Sequence, residues 1–468
     1  MRKVVIHCAL AAALSLMAGS YAVAAPILLA KATLTTTSAG YYTDLSGLTD
    51  ILENGDPASL LGGMGSGFAW AGGNTFLALP DRGPNAVEFD DLIDNTVTYI
   101  PRFHTVSMDL EPTGGNGGTG LPFTLTPDMT ATTLLYDSSL LRAVSLVYGS
   151  GAGLGVPFGG PAENGRGKNY FSGRSDNFDP NHNSGFASDA RLDTEGIRVS
   201  NDAQSVYISD EYGPYVYEFN RATGQRTRSF QLPDHLFVDH LYPVGQDEID
   251  NNTSGRTANK GMEGLAITPD GTTLVGFMQA ALIQDANEGS PADKLLRFVT
   301  IDIASGRWTH EYAYLLTDGS GVSEVVALNN HEFLVDERDG KGLGDGSNAK
   351  YKELFKIDIN GAVDVSQMDG LTAAMNAVPK SLFLDIVQVL VDNGITKDQI
   401  PAKIEGVALA GDVMYNGATM HTVWIANDND FLQDYGGQQN SNPNQFFVFG
   451  FTDDDLNGST YIPQFPAQ

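Results

Sequence analysis

The apolar residues of this chain recur in short alternating runs separated by polar turns, and five such runs share one design. In the clearest copy, an alternating run from Glu195 to Val199 precedes the turn Ser200-Asn201-Asp202, and a second run extends from Val206 to Glu211. Alternation with a period of two around a short turn is typical of a β-hairpin. The pattern therefore predicts five hairpins, whose first strands begin at Ser66, Glu195, Glu263, Glu324 and Glu405.

Most of these hairpins have acidic residues at their open end. Residues equally far before and after a turn lie side by side in a hairpin, which pairs Glu195 with Asp210 and Glu324 with Asp336. The same counting pairs Ser66 with Asp81 and Glu405 with Asp428, whereas Gln279 replaces the acid in the second hairpin. Neighbouring carboxylates repel unless a cation, a basic group or a shared proton compensates. The repetition therefore predicts a ring of acidic sites.

The spacing of the hairpins predicts an all-β chain folded as a β-propeller. The successive intervals between Glu195, Glu263, Glu324 and Glu405 are 68, 61 and 81 residues, and 129 residues separate Ser66 from Glu195. Repeats of this length built from short strands fit propeller blades of four strands. Division of the chain by about 65 residues per repeat predicts six to seven blades in a single domain, residues 25–468.

Two further segments complete the predicted fold. Residues 26–45 predict an outer strand, and Phe446–Phe451 is its expected partner, because closure of a propeller often joins the two chain ends. Residues 371–403 predict a small helical insertion, which ends at Asn393-Gly394. Its apolar face consists of Leu382, Ile386, Val389 and Leu390.

The first 24 residues have the pattern of a signal peptide. The basic pair Arg2-Lys3 precedes an almost wholly apolar run, Val4–Ala18, and Ala22-Val23-Ala24 forms a small-x-small cleavage site. The single cysteine of the chain, Cys8, lies in this segment, so the mature protein would contain no disulfide. These features predict a periplasmic or secreted protein, with no membrane association after the signal is removed.

The remaining chain is strongly acidic. Without Arg2 and Lys3, the 27 basic residues become 25 against 57 acidic ones, which gives a formal net charge of −32. Such a surface repels nucleic acid and anionic lipid, so neither is an expected partner. The charge is consistent with solubility in a saline habitat and also with binding of divalent cations.

Common catalytic motifs are absent from the sequence. No serine has glycine at both the second position before it and the second after it, and there is no phosphate-binding loop or HExxH zinc motif. The candidates that remain are the acids of the hairpins and the basic residues near them. The predicted metal ligands are Glu195, Asp210, Glu211, Glu263, Glu405 and Asp428, with calcium as the cofactor. Arg82, Lys260 and Arg338 are the candidate catalytic cations, unless they only form salt bridges with the acids.

Several segments together resemble one family. They are Leu79–Asn85, Asp193–Ile197, Ser209–Tyr215, Asn259–Leu265, Lys380–Asp385, Ile404–Val407 and Asn427–Phe431. Over about residues 45–450, and in this order, they resemble the phytase-like domain family, also described as having esterase-like activity of phytase. The resemblance implies a secreted bacterial β-propeller that hydrolyses esters, with phosphate esters as the substrate class.

Three functions are compatible with these residues. The first is metal-assisted hydrolysis of phosphoric esters in the propeller channel. The second is a calcium-dependent lactonase or carboxylic esterase, whose neutral substrate would suit the low content of basic residues. The third is a non-catalytic binding propeller in which the acids hold structural calcium. For the first two, the expected partner is a small-molecule ester, and we expect the protein to be a monomer.

Overall fold

A computed structural model describes residues 26–86, 96–114, 120–138, 146–149, 160–165, 167–176, 179–432 and 442–467. The predicted signal peptide lies outside these residues. The strands are β1 (Ile27–Leu34), β2 (Thr36–Thr37), β3 (Gly40–Tyr41), β4 (Gly67–Trp70), β5 (Thr75–Leu79), β6 (Arg102–Pro112), β7 (Phe123–Leu134), β8 (Tyr136–Ser138), β9 (Lys168–Tyr170), β10 (Thr194–Val199), β11 (Ser205–Asp210), β12 (Tyr215–Asn220), β13 (Arg226–Ser229), β14 (Met262–Ile267), β15 (Thr273–Met278), β16 (Leu295–Asp302), β17 (Arg307–Leu315), β18 (Gly321–Ala327), β19 (Glu332–Arg338), β20 (Lys352–Asp358), β21 (Lys380–Asp385), β22 (Lys403–Tyr415), β23 (Ala418–Asp428) and β24 (Asn444–Phe451). The α-helices are α1 (Gly245–Asn251), α2 (Ile283–Ala286), α3 (Gly370–Met375) and α4 (Ile386–Asp392).

These strands form an all-β propeller of five blades, each a four-stranded antiparallel sheet. Blade 1 consists of β4–β7, blade 2 of β10–β13, blade 3 of β14–β17 and blade 4 of β18–β21, while blade 5 combines β22–β24 with β1. The prediction of six to seven blades is therefore wrong. The stretch between Ser66 and Glu195 forms one blade instead of two, because β6 and β7 are 11 and 12 residues long and the ribbon β8–β9 follows them.

The blades close into a ring through their innermost strands and through the chain ends. The innermost strands contact one another in the order β4, β10, β14, β18, β22 and back to β4. In blade 5, β1 is the outermost strand and pairs with β24, with Ile27 opposite Gly450. This pairing confirms the predicted partnership of residues 26–45 with Phe446–Phe451.

The hydrophobic core lies between the faces of neighbouring blades. Every residue of the inner strands β10 and β14 is buried, because these strands have a neighbouring blade on either side. Between blades 5 and 1, Phe76 packs against Phe68 and Trp424 at centroid distances of 5.0 and 4.6 Å. Packing of this kind fixes the positions of the inner strands and hence of the side chains at their ends.

The predicted helical insertion at residues 371–403 is only partly helical. Helices α3 and α4 lie in this region, but β21 separates them and forms the outer strand of blade 4. Leu382 therefore lies on a strand and is 50% exposed, whereas Ile386 and Leu390 are buried on α4 as predicted. In the part of the chain that the structure describes, none of the helices is long and apolar enough to cross a bilayer.

Candidate functional site

A β-bulge at the open end of the inner hairpin directs one side chain of each of four blades into a common cavity. The register shifts between Thr194 and Ile197 in blade 2, and the other three blades shift in the same way. A bulge bends its strand and re-aims the extra residue. Together with a serine of blade 1, the re-aimed residues form what we call the first ring: Ser66, Glu195, Glu263, Ser323 and Glu405.

A glycine follows the first-ring residue in every blade except blade 4. A Cβ atom at Gly196 would lie 2.7 Å from Cβ of Leu265, and one at Gly406 would lie 2.8 Å from Cβ of Phe68. Glycine is needed here because each inner strand approaches the next one too closely for a side chain. In blade 4, Glu324 takes the glycine position. The residue of blade 4 that corresponds to Glu195 is therefore Ser323, and Glu324, where the sequence predicted the start of this hairpin, corresponds to Gly196.

The returning strands contribute a second ring to the same cavity, consisting of Asp81, Glu211, Gln279, Arg338 and Asp428. The bulge changes which residue of the returning strand faces the cavity. Thr194, not Glu195, lies opposite Asp210, so that Glu211 lines the cavity and Asp210 does not. The assignment of Asp210 to the site is therefore not supported. Its Oδ1 accepts hydrogen bonds from the backbone N–H groups of Asp193 and Tyr212 at 2.9 and 3.1 Å.

A third set of positions distinguishes the blades from one another. Two residues before the first ring lie Met64, Asp193, Gly261, Gly321 and Lys403. Blade 2 thus combines three acids, Asp193, Glu195 and Glu211. Blade 5 has Lys403 where blade 2 has Asp193. The fivefold backbone pattern therefore carries an asymmetric charge distribution.

The cavity has a volume of about 220 Å³ and includes six carboxylates and four basic side chains. Arg82 donates to Asp193 Oδ2 at 2.9 Å, and its guanidinium lies 3.7 Å from Glu211. Arg338 pairs with the first-ring glutamate of blade 5, and Lys403 Nζ lies 3.0 Å from Asp428 Oδ2. The fourth basic residue, Lys260, is half-buried, and no ion pair joins it to another described residue.

Eight of the nine predicted site residues thus line one cavity: Arg82, Lys260, Arg338, Glu195, Glu211, Glu263, Glu405 and Asp428. The residues that the sequence did not identify as functional are Ser66, Asp81, Gln279, Ser323 and Lys403 in the cavity and Asp193 beside it. Asp193 had a recognisable signal, because residues i and i+2 of a strand share one face and Asp193 precedes Glu195 by two.

The carboxyl groups of the cavity have strongly perturbed pKa values. Burial, followed by the charge of Glu263, raises the pKa of Glu195 well above its usual value. Burial and neighbouring carboxylates likewise raise the pKa of Glu263 to about 8 and that of Glu211 to about 7. Burial alone would raise the pKa of Asp428, but the ammonium of Lys403 holds it below the usual value. The acids of blade 2 therefore depend on a cation from blade 1, Arg82, whereas blade 5 supplies its own cation, Lys403.

The acids of blade 2 have the composition and spacing of a metal-binding cluster. One oxygen from each of Asp193, Glu195 and Glu211 lies within 4.8 Å of the other two, and all three residues are buried. Glu211 Oε1 and Glu263 Oε2 have no hydrogen-bond partner among the described residues. Buried carboxylate oxygens without a donor fit a divalent cation, because hard cations take oxygen ligands. This cluster can therefore hold a metal ion.

A buried ion pair closes the channel beneath the cavity. Arg198 Nη2 lies 3.0 Å from Glu324 Oε1, and the guanidinium donates to the backbone carbonyls of Phe68 and Val325 at 2.8 and 2.7 Å. On the other side of this pair, a small space of about 40 Å³ is bordered by the C-terminal segment. Gln464 Nε2 donates to the Val199 carbonyl there at 2.8 Å.

The fold and the site define a five-bladed propeller with one charged cavity at the end of its channel. The chain belongs to the phytase-like family, described as "Esterase-like activity of phytase", whose model matches residues 59–431. This match confirms the resemblance inferred from the sequence segments.

Comparisons with individual proteins are more distant. An uncharacterized secreted protein of Arthroderma benhamiae is 32% identical over a match that covers 35% of this chain and 36% of that protein. The solved structure of Kuenenia stuttgartiensis hydrazine synthase has 12% identity and a TM-score of 0.31, with 79% of this chain and 78% of that chain covered. The PQQ-bound aldose sugar dehydrogenase of Streptomyces coelicolor has 11% identity, coverage of 91% and 93%, and a TM-score of 0.31.

Proposed function

We propose that the protein is a metal-assisted hydrolase of small phosphoric esters that acts at the charged cavity. The observation that carries the proposal is the convergence of five inner strands on one cavity, in which Glu195 and Glu211 of blade 2, with Asp193 beside them, lie near basic residues of other blades. A metal cluster beside cationic side chains is the arrangement that phosphoryl transfer requires. The family to which the chain belongs supports ester hydrolysis.

Asp193, Glu195 and Glu211 would hold the metal ion, for which we propose calcium because all three offer carboxylate oxygens. A bound divalent cation polarises a phosphoryl oxygen and favours the deprotonation of water. Arg82 positions the cluster, since it binds both Asp193 oxygens through its backbone N–H and its guanidinium. Of the other acids predicted as ligands, Glu263, Glu405 and Asp428 lie near this cluster in the first and second rings, whereas Asp210 does not line the cavity.

Basic side chains around the cluster would bind the substrate. Lys260 lies near enough to Glu211 to lower the pKa of that residue, and no ion pair occupies its ammonium among the described residues. It is therefore the best-placed cation to contact a phosphoryl oxygen, while Arg338 orders the acids of blade 5. The cavity of about 220 Å³ is smaller than common small-molecule sites of roughly 300 Å³ or more, so one ester group enters it.

A neutral substrate is the second candidate, and one observation favours it. Arg82, Arg338 and Lys403 already form ion pairs with carboxylates. A carboxylic ester or lactone would not compete for these cations and would need only a polarised carbonyl oxygen. This alternative and the phosphoric ester use the same acids of blade 2.

The test is hydrolysis of an aryl phosphate, a diester and a lactone panel by the mature protein, with calcium and with chelator. We expect turnover of phosphoric esters that chelator abolishes and calcium restores. Glu195→Gln should reduce this activity by about 100-fold or more, because it removes a charge from the metal cluster. Glu218→Gln is the matched control, since Glu218 lies on β12, the third strand of the same blade, away from the channel, where its carboxylate accepts a hydrogen bond from the Ser205 hydroxyl.

The panel separates the candidates from one another. Turnover of lactones alone would replace phosphoric esters with the neutral substrate class. Calcium binding without hydrolysis of any ester would contradict both enzymatic candidates and would leave a binding propeller with structural calcium.

We further propose that the protein acts in the periplasm or outside the cell, as a monomer that binds a small-molecule ester and neither nucleic acid nor membrane. The signal-peptide pattern of residues 1–24 supports export. The description of the Arthroderma benhamiae relative as secreted is consistent with it. Detection of the mature chain in culture supernatant or in a periplasmic extract decides between the two locations.

A further inference from the structure

Two serines occupy corresponding positions of the first ring but have different surroundings. Ser323 Oγ accepts a hydrogen bond from Arg338 Nε at 2.8 Å. Ser66 Oγ has no hydrogen-bond partner among the described residues, although the residue is only 1% exposed. Burial removes water from a hydroxyl group, and without a hydrogen-bond partner the free energy of that lost hydration is not compensated. Ser66 is therefore a polar group in the cavity wall with hydrogen-bonding capacity available to a ligand.

The chain on both sides of Ser66 is held rigidly. A Cβ atom at Gly65 would lie 2.5 Å from the backbone carbonyl of Asn427, and one at Gly67 would collide with the carbonyl of Glu195. Blade 1 is thus packed directly against the backbones of blades 5 and 2 at this level. The backbone position of Ser66 is consequently fixed before any ligand arrives, which lowers the entropic cost of a contact.

Ser66 lies between the proposed metal cluster of blade 2 and the ammonium of Lys403 in blade 5. In the ring, β4 of blade 1 contacts β10 of blade 2 and β22 of blade 5. Blade 2 carries the proposed metal cluster, and blade 5 carries Lys403 in the position that corresponds to Asp193. An anionic group over blade 1 would have a metal ion on one side and an ammonium on the other. Blade 1 also contributes Asp81 and Arg82 to the cavity, and Arg82 already pairs with Asp193. The contact that Ser66 itself can add is a hydrogen bond.

We propose that Ser66 Oγ donates a hydrogen bond to a phosphoryl oxygen of the substrate and holds that group over blade 1. This inference rests on the proposed function and adds the orientation of the substrate. It assigns the two serines different tasks, since Ser66 binds the ligand and Ser323 orients Arg338.

Thermal melting of two matched variants tests the first part of the inference. Ser66→Ala removes a hydroxyl that makes no bond within the described protein, so the melting temperature should stay the same or rise. Ser323→Ala leaves Arg338 Nε without its acceptor, so the melting temperature should fall. A fall of the same size in both variants would show that the Ser66 hydroxyl is structural and would overturn the inference.

Calorimetric titration with inorganic phosphate in the presence of calcium tests the second part. We expect Ser66→Ala to weaken phosphate binding about tenfold, which is the loss of one good hydrogen bond. Its affinity for calcium alone should equal that of the wild type. Equal phosphate affinity of wild type and Ser66→Ala, or no phosphate binding by the wild type, would overturn the inference.

The phosphate titration is independent of ester hydrolysis. If the wild type binds phosphate through Ser66 but hydrolyses no ester, the proposed activity fails and the inference about Ser66 stands. If the wild type hydrolyses esters and Ser66→Ala retains full phosphate affinity, the activity stands and the inference fails.

Discussion

Asp210 shows how strongly burial can perturb the pKa of a carboxyl group next to the site. Its Oδ1 accepts two backbone hydrogen bonds, and its Oδ2 has no hydrogen-bond partner among the described residues. Burial raises the pKa of Asp210 to about 7, against about 3.9 for an aspartate in an unfolded chain. The folded state therefore binds this proton more tightly. The resulting contribution to stability is complete below about pH 4 and is lost as the pH rises to about 7.

Asp210→Asn should therefore become more favourable relative to the wild type as the pH increases. Asparagine keeps the acceptor for the two backbone donors and removes the charge that burial disfavours. We expect the difference in melting temperature, variant minus wild type, to increase between pH 4 and pH 8 when both proteins are measured in chelator.

Asp202→Asn is the matched control. The Ser200 hydroxyl and the Gln204 N–H hold the pKa of Asp202 below its usual value. The contribution of Asp202 is present above the pKa of the unfolded aspartate and is lost as the pH falls. The melting-temperature difference of this variant should become more negative as the pH rises to about 4 and should then stay nearly constant up to pH 8. The same trend in both variants would contradict the assignment for Asp210.

The residues of the site are predictable from the sequence only as far as the hairpin repeat extends. Glu195, Glu263 and Glu405 can be recognised because each begins a clear strand. Counting residues on either side of a turn assumes regular strand pairing, so it selects Asp210 as well as Glu211. The bulge adds one residue to the first strand, and as a result only Glu211 lines the cavity. Ser66 is recognisable as the start of a hairpin, but its unsatisfied hydroxyl is visible only in the folded ring.

At the scale of elements, the close packing of one inner strand on the next depends on the glycine that follows the first-ring residue. Gly406 and Gly411 both lie on β22, yet their surroundings differ. A Cβ atom at Gly406 would lie 2.8 Å from Cβ of Phe68 and 3.0 Å from the carbonyl oxygen of Gly65. A Cβ atom at Gly411 would meet nothing closer than 3.8 Å.

Gly406→Ala should destabilise the protein by about 1–3 kcal/mol, because the inner strands of blades 5 and 1 would have to separate. Gly411→Ala should be neutral or slightly stabilising, since alanine restricts the unfolded chain. Denaturant unfolding of both variants measures the difference. A similar loss of stability in both would show that the close approach is not what selects glycine at position 406.

The number of blades illustrates what hydrophobic patterning leaves open. The hairpin pattern predicts the correct type of element and the correct closing pair, β1 with β24. It predicts too many blades, because it takes the length of chain per repeat as constant. Blade 1 uses long strands, and blade 5 extends β22 and β23 to 13 and 11 residues. Strand length depends on outer contacts that the repeat itself does not specify.

At the scale of the whole molecule, the asymmetry of the rings predicts a single metal ion. Calcium titration should give one site per chain, and chelation should lower the melting temperature by several degrees. Binding to the folded form alone stabilises by about 2.7 kcal/mol at a hundredfold excess over Kd. Asp193→Asn should remove most of this sensitivity to chelator.

Lys403→Asp provides a sharper form of the same prediction. The substitution places a carboxylate at the position that corresponds to Asp193, so that blade 5 has three acids arranged like those of blade 2. It also removes the ammonium that pairs with Asp428 and Asp430. We expect a second calcium site in this variant. Two sites in the wild type, or chelator-insensitive melting after verified removal of metal, would contradict the assignment of one cation to blade 2.

The ion pair between Arg198 and Glu324 also governs how molecules reach and leave the cavity. A propeller channel that is open at both ends would permit entry on one face and exit on the other. Here the pair closes the centre, and the C-terminal segment around Gln464 lies over the opposite end. Among the described residues, the cavity is thus a blind compartment. Its occupants exchange in single file through one opening, and each must depart before the next can arrive.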